Sequence, residues 1–174
     1  MRFVVARHGN DMGSRGSAIS LFKSIQESTV IPITTARMTR FIISLDQGGE
    51  LARRAFDDMV GGEIYAKKIP SMKVTDVART IAPDVKGEIV GIRLGEKLQE
   101  QMIGTKDSCF TYEYPEYFKI LPQINCWADD AKRIKDGVMV LEGFICASDS
   151  NPVWMSDADL QGCIDANVDS IGKL

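Results

Sequence analysis

The sequence predicts a mixed α/β layer, and three observations carry that reading. Apolar, β-leaning runs occur at residues 2–7, 30–34 and 38–43, an amphipathic helix follows, and strand and helix patterns alternate over the first hundred residues. The length of 174 residues fits one domain at about 100–200 residues per domain. With 44% apolar and 26% charged residues, the composition is that of a folded globular protein rather than a disordered one.

Each element has its own signal. Residues 2–7 hold the run Phe3-Val4-Val5-Ala6, a strand that feeds a glycine-rich loop over 9–17. Ala18–Ile25 is weakly helical. Val30-Ile31-Pro32-Ile33-Thr34 leans to strand, with Pro32 placing it at an edge or a strand start. Met38–Ile43 is a second β run. Ser44-Leu45-Asp46-Gln47 has the pattern of a capping box, and Leu51, Ala55 and Met59 recur every four residues behind it. Gly61-Gly62 ends that helix, and Glu63–Ala66 reads as a strand. Pro70-Ser71-Met72-Lys73 reads as a turn. Val74, Val77, Ala78 and Ile81 have helical spacing up to Pro83. Glu88–Ile92 reads as a strand, Gly95–Ile103 as a short helix, and Tyr112–Leu121 as extended chain around Pro115. Residues 124–140 carry no clear pattern, and Asp157–Ile164 reads as a short helix.

The net charge of −3 gives no global attraction to nucleic acid or to an anionic membrane, so any anion site is local. Cys109, Cys126, Cys146 and Cys163 form no C-x-x-C pair, and the one histidine, His8, is far from them, so no metal site is expected. The cysteines are read as small buried apolar residues. No apolar stretch reaches the length of a signal peptide or a membrane span, and the expectation is a cytoplasmic protein with reduced thiols.

The opening glycines bear on function. Gly9-x-x-x-Gly13-x-x-Gly16 after a strand is a loose match to a dinucleotide-binding turn. A first βα turn also requires a long apolar helix and a second strand closed by an acidic residue. Here Ser17, Ser20, Lys23 and Ser24 follow instead. A plain turn is the other reading of these glycines.

Several collinear blocks give a third. Arg7-His8-Gly9-Asn10 through Ser17 resembles the R-Y-G-N-V-x-G-S-R-G-S segment of the inverting UDP-N-acetylglucosamine 4,6-dehydratases, a polysaccharide-biosynthesis branch of the extended short-chain dehydrogenase/reductases. Pro32-Ile33-Thr34 with Arg37-Met38-Thr39-Arg40-Phe41 resembles P-I-T-D-x-R-M-T-R-F. Gly61-Gly62-Glu63-Ile64 and Lys68 to Lys73 resemble G-G-E-I-F-V-P-K-I-P-S-M-K. Ile89 to Arg93 with Gly95-Glu96-Lys97-Leu98 resembles I-V-G-I-R-P-G-E-K-L-H-E. Ser148-Asp149-Ser150-Asn151 and Trp154 resemble the tail pattern Y-S-S-D/H-N-N-x-x-W.

The resemblance implies the C-terminal part of such a protein: one late Rossmann strand with its glycine-rich loop over 1–17, a small mixed α/β UDP-sugar-binding domain over 18–122, and a tail over 123–174, together one truncated domain. The family's glycine fingerprint, catalytic Asp-Lys pair and Tyr-x-x-x-Lys do not occur in these 174 residues, so no residue here is assigned as catalytic. NADP is implied for the full-length family, with none bound by this chain alone. The implied substrate-binding residues are Asn10, Ala18, Thr34, Arg40, Arg93, Glu96, Cys146, Ala147, Ser148 and Asp149. Those implied near the nicotinamide end of a cofactor are Asp11, Met12, Gly13, Ser14 and Arg15. Arg93 would grip diphosphate through its planar fork of donors, and Glu96 would accept from ribose hydroxyls. The implied partners are a UDP-sugar such as UDP-N-acetylglucosamine, a polypeptide supplying the N-terminal half, and further copies of the chain in a homo-oligomer; nucleic acid and membrane are not among them.

Plainer readings stand beside these. Arg93 is also a candidate solvated surface arginine, and Arg37 and Arg40 are candidates to pair with Asp57 and Asp58. Glu96 and Lys97 also fit helix-surface charges, Ser148 and Asp149 a turn without ligand, and His8 a strand-end side chain. The chain departs from the family pattern at His8, Asp11, Thr35, Leu94, Gln99 and Cys146. Asp11 brings negative charge to a segment expected near phosphates. Three functions follow: a UDP-sugar-binding portion inactive alone, a half-enzyme completed in trans, and a non-catalytic oligomeric remnant.

Overall fold

The computed structural model describes residues 1–12, 14, 17–124 and 129–167. Among these, the chain forms in order β1 (Val5–Arg7), β2 (Asn10–Asp11), α1 (Ala18–Ser24), β3 (Val30–Ile33), β4 (Thr39–Ile43), α2 (Leu45–Asp58), β5 (Ile64–Lys67), β6 (Ser71–Lys73), α3 (Val74–Ile81), β7 (Lys86–Ile89), β8 (Gln101–Ile103), α4 (Thr105–Ser108), β9 (Thr111–Glu113), β10 (Tyr117–Ile120), α5 (Ala131–Ile134), β11 (Val138–Met139), β12 (Cys146–Ala147) and α6 (Asp157–Ala166). They divide between two compact units, each assembled from three stretches of chain: residues 1–8, 46–68 and 101–147 in the first, and 9–45, 69–100 and 148–174 in the second.

The first unit is built on a five-stranded sheet of order β1-β5-β10-β9-β11. β1 runs parallel to β5, from Val5 opposite Ile64 to Arg7 opposite Ala66, and the remaining pairs are antiparallel. α2 turns Leu51 and Ala55 onto Tyr65, Tyr112, Tyr114, Tyr117 and Leu121. Gly61 and Gly62, both at positive φ (132° and 88°), stop the chain after α2, as a double glycine does cheaply. Ion pairs with a deeply buried cation lie inside this unit. Lys119, 1% exposed, meets Asp58 at 2.5 Å between the Tyr65 and Tyr114 rings, and Arg133 meets the buried Glu63. Burial pushes the Asp58 carboxyl up, but hydrogen bonds from Lys119, Lys135 and Tyr65 outweigh it and hold the group at about 2.

The second unit has two small sheets. β2 pairs parallel with β4, which pairs antiparallel with β6, and β3 pairs parallel with β7. Helices α1, α3 and α6 pack around a core of Met12, Ile19, Phe22, Ile31, Met38, Met72, Val77 and Leu160. Gly9 sits where a Cβ would fall 2.5 Å from Phe41 Cβ, so only glycine lets this stretch approach β4 closely.

Several expectations need correction. Residues 71–73, read as a turn, form β6, because Ser71 and Met72 pair with Phe41 and Arg40. Gly95–Ile103 is not a helix; bends and turns lead into β8, since Gly95 takes φ +83° and Met102 and Ile103 are buried as strand residues. The 2–7 strand begins only at Val5, and the strand read at 88–92 lies at 86–89. Cys109 is exposed and Cys146 and Cys163 are half-buried, against the expectation of buried thiols; Cys126 lies outside the described residues. Arg40 pairs with Glu100 and not with Asp57 or Asp58. Among the described residues no helix is long and apolar enough to cross a membrane, and no His/Cys/Asp/Glu cluster could hold a metal.

Candidate functional site

A cavity of about 320 Å³ opens in the second unit. Its floor is apolar: Ile19, Phe22, Met38, Ile42, Val74 and Val77. Around it stand Asn10, Asp11, Ala18, Thr34, Arg40, Arg93 and Glu96, residues drawn from β2, α1 and the chain after β3, from β4 and from the loop after β7. An apolar hollow with a few convergent polar groups is the usual form of a small-molecule site. β3 and β7 are parallel, so both deliver their carboxyl ends, and with them Thr34 and Arg93, to the same side. Ligand sites of open α/β sheets lie at such carboxyl ends.

The loop carrying Arg93 is shaped by its own sequence. Gly91 and Gly95 both take positive φ, at 90° and 83°. Between them Glu96 N donates to Arg93 O (3.1 Å) and Arg93 N donates to Glu96 Oε2 (3.1 Å). Glu96 Oε1 accepts from Thr34 Oγ1 at 3.3 Å. The carboxylate assigned to ribose thus also holds Thr34 and the Arg93 turn. The Arg93 side chain is exposed and its guanidinium has no partner among the described residues. Arg40 is fixed differently, donating to the carbonyls of Thr39 (2.7 Å), Lys97 (2.9 Å) and Leu98 (3.2 Å).

Glu100 was not singled out in the sequence, although it stands at the closing Glu of the G-E-K-L-H-E block. With the Asn10 amide oriented by its hydrogen bonds, Nδ2 donates to Oε2 and Oε1 of Glu100 at 2.8 and 2.9 Å. Phe41 N donates to Oε2 at 3.4 Å, and Arg40 Nε lies 3.7 Å from Oε1. Burial raises this carboxyl's pKa, against the pull of Arg40, Phe41 N–H, Lys97 and Asn10.

Other assigned residues stand elsewhere. Cys146 and Ala147 form β12 of the first unit, paired with β8, and burial pushes the Cys146 thiol up to about 11, so it is uncharged at neutral pH. Ser148 is wholly buried: its hydroxyl meets Thr39 Oγ1 at 2.7 Å and accepts from Glu100 N at 2.9 Å, so it serves the protein interior. Asp149 is exposed. Met12, 2% exposed, points into the core, and Ser14 is exposed and donates to Asp11 O at 3.0 Å. Gly13 and Arg15 lie outside the described residues. Asp11 stands in the lining of the cavity, while the Met12 side chain belongs to the core of the second unit.

A larger cavity, about 740 Å³, lies in the first unit between α2, β5 and β10. Several of its charges are engaged: Lys67 pairs with Glu50 at 3.5 Å, Asp58 with Lys119, and Arg54 covers Tyr117. The second unit's cavity, with its apolar floor and an uncommitted guanidinium, is the better candidate.

Comparison with known proteins decides the family. The sequence profile described as "Polysaccharide biosynthesis protein" matches residues 1–122. The chain belongs to the polysaccharide biosynthesis protein family. It is 43% identical over 172 residues to the UDP-N-acetylglucosamine 4,6-dehydratase (inverting) of Campylobacter jejuni serotype O:2, an alignment covering 91% of this chain and 50% of that protein. It is 35% identical over 121 residues to the UDP-glucose 4-epimerase of Rickettsia conorii, covering 67% of this chain and 36% of the epimerase. The X-ray structure of Pen from Bacillus thuringiensis superposes with a TM-score of 0.82 at 28% identity, over 96% of this chain and 51% of Pen. This member of the polysaccharide biosynthesis protein family thus has the expected α/β fold of the extended short-chain dehydrogenase/reductase type, and it spans about half the length of the curated dehydratases it matches.

Proposed function

We propose that the second unit is the UDP-sugar cradle of a UDP-N-acetylglucosamine 4,6-dehydratase-like protein. The observation that carries this reading is the convergence on one cavity of six residues assigned to the sugar nucleotide: Asn10, Ala18, Thr34, Arg40, Arg93 and Glu96. The uncommitted Arg93 fork grips the diphosphate, Arg40 adds positive charge held by three carbonyls, and the apolar floor takes the flat faces of the ligand. The proton-transfer groups of NADP chemistry are not supplied by these 174 residues, because no Tyr-x-x-x-Lys occurs among them. The protein acts in the cytoplasm, where nucleotide sugars are found, and the complete reaction is a lyase step. Titration calorimetry of the purified chain with UDP-N-acetylglucosamine tests the cradle; heat of binding supports it and its absence at millimolar ligand removes it. A product assay tests the second part: this polypeptide alone gives no dehydrated sugar, and turnover by it would refute the assignment.

A specific observation favours completion by another polypeptide. β1 is an edge strand of its sheet among the described residues, with Phe3 69% and Val5 52% exposed. α2 exposes a second stripe, Gly49, Ala52 and Phe56, and a Cβ on Gly49 would meet nothing within 4 Å. Parallel strands are normally flanked and covered on both faces, and small residues on a helix invite close approach of a second helix. The occupant is a parallel strand with its helix from a polypeptide equivalent to the part of the Campylobacter dehydratase that the match leaves uncovered. Light scattering separates this from self-association: a one-to-one complex with that polypeptide supports it, and a stable homo-oligomer unaffected by its addition favours the oligomeric remnant.

A further inference from the structure

The cavity's polar wall rests on a relay of buried groups. Ser148 is fully buried and clamps the main chain of Glu100 from both sides, donating from its N to Glu100 O (2.8 Å) and accepting Glu100 N on its hydroxyl (2.9 Å). The same hydroxyl is tied to Thr39 through Oγ1 (2.7 Å) and the carbonyl (3.2 Å). Glu100 therefore has little freedom to move, and its carboxylate faces Asn10, Phe41 N–H and Arg40. An ionised carboxylate only accepts hydrogen bonds, so the group it binds on Asn10 must be the amide nitrogen.

We propose that Glu100 is a positioning residue that holds the Asn10 amide nitrogen away from the ligand, so that Asn10 offers the cavity its carbonyl oxygen and selects a hydrogen-bond donor, a sugar hydroxyl or an acylamino N–H, at that point. The proposal rests on the UDP-sugar reading for the identity of the ligand, but the Glu100–Asn10 link stands apart from it. Arg40 is secured by three carbonyls, with Glu100 only at 3.7 Å, so loss of the carboxylate leaves the arginine in place. In Glu100→Gln the new amide can donate to Asn10, which lets the Asn10 amide turn over and present a donor instead. A mismatch of this kind costs about tenfold in affinity.

The test uses the full chain, Glu100→Gln, Asn10→Leu and the double variant, with UDP and UDP-N-acetylglucosamine as probes in calorimetry. Expected is an affinity for UDP-N-acetylglucosamine about tenfold lower in each single variant, an unchanged affinity for UDP, and a double variant no worse than either single one. Additive losses, or equal losses for both ligands, overturn the proposal. Binding in the parent chain should also weaken as pH falls through the raised carboxyl range of Glu100, with Arg40 and Lys97, the charged groups facing it, protonated throughout; in Glu100→Gln that pH dependence disappears. If the parent binds neither ligand, the cradle reading fails, and the side-chain amide resonance of Asn10 in a nitrogen–proton correlation spectrum still decides the link. It should follow one acid titration that Glu100→Gln abolishes, and an Asn10 signal indifferent to both pH and the substitution contradicts it.

Discussion

Asp58 and Glu96 are two carboxylates that work as fasteners. Glu96 binds Thr34 and its own turn, and so braces the loop that carries Arg93. Asp58 neutralises a lysine that is 1% exposed. Asp58→Asn strands that charge, and a broken buried pair costs about 3–5 kcal/mol, measurable as a lower urea midpoint. The pH dependence has a definite sign. The carboxyl lies at about 2 in the folded chain against an ordinary 3.8, so its stabilising contribution is present above about pH 4 and is lost as pH falls toward 2. Acid unfolding of the parent, but not of Asp58→Asn, should show that loss. Neither role was legible beforehand. Glu96 and Asp58 look like surface charges by spacing, and only the paths of β3, β7 and β10 bring Thr34 and Lys119 to them.

At the scale of elements, what repeats locally could be read and what depends on distant pairing could not. Leu51 and Ala55 four apart announced α2, and Val74, Val77 and Ala78 announced α3, because a helix satisfies its backbone within itself. β6 and β8 are three residues each and exist only through partners far along the chain, β4 and β12. Residues 71–73 therefore passed for a turn and 101–103 for the end of a helix. α2 also carries a prediction. Phe56 is 67% exposed, so Phe56→Lys should shift the stability of the isolated chain by no more than about 0.5 kcal/mol. The same change should abolish assembly with the completing polypeptide in a sedimentation experiment. A large loss of melting temperature would show instead that the stripe is needed within this chain.

The whole molecule unites two units whose stretches interleave in sequence, so no linear division of the chain marks them. The second unit brings residues assigned to the sugar nucleotide around its cavity, and this candidate site was legible because three of the five quoted blocks contribute to its lining: Asn10 from the first, Thr34 and Arg40 from the second, Arg93 and Glu96 from the fourth. Among the described residues the first unit has β1 at the edge of its sheet and an exposed stripe on α2. The proposed cradle depends above all on Arg93 as the residue that holds the diphosphate. The direct measurement is the affinity of the chain for UDP with and without Arg93→Ala: a loss of about tenfold or more at an unchanged melting temperature is predicted, and equal affinities would contradict it.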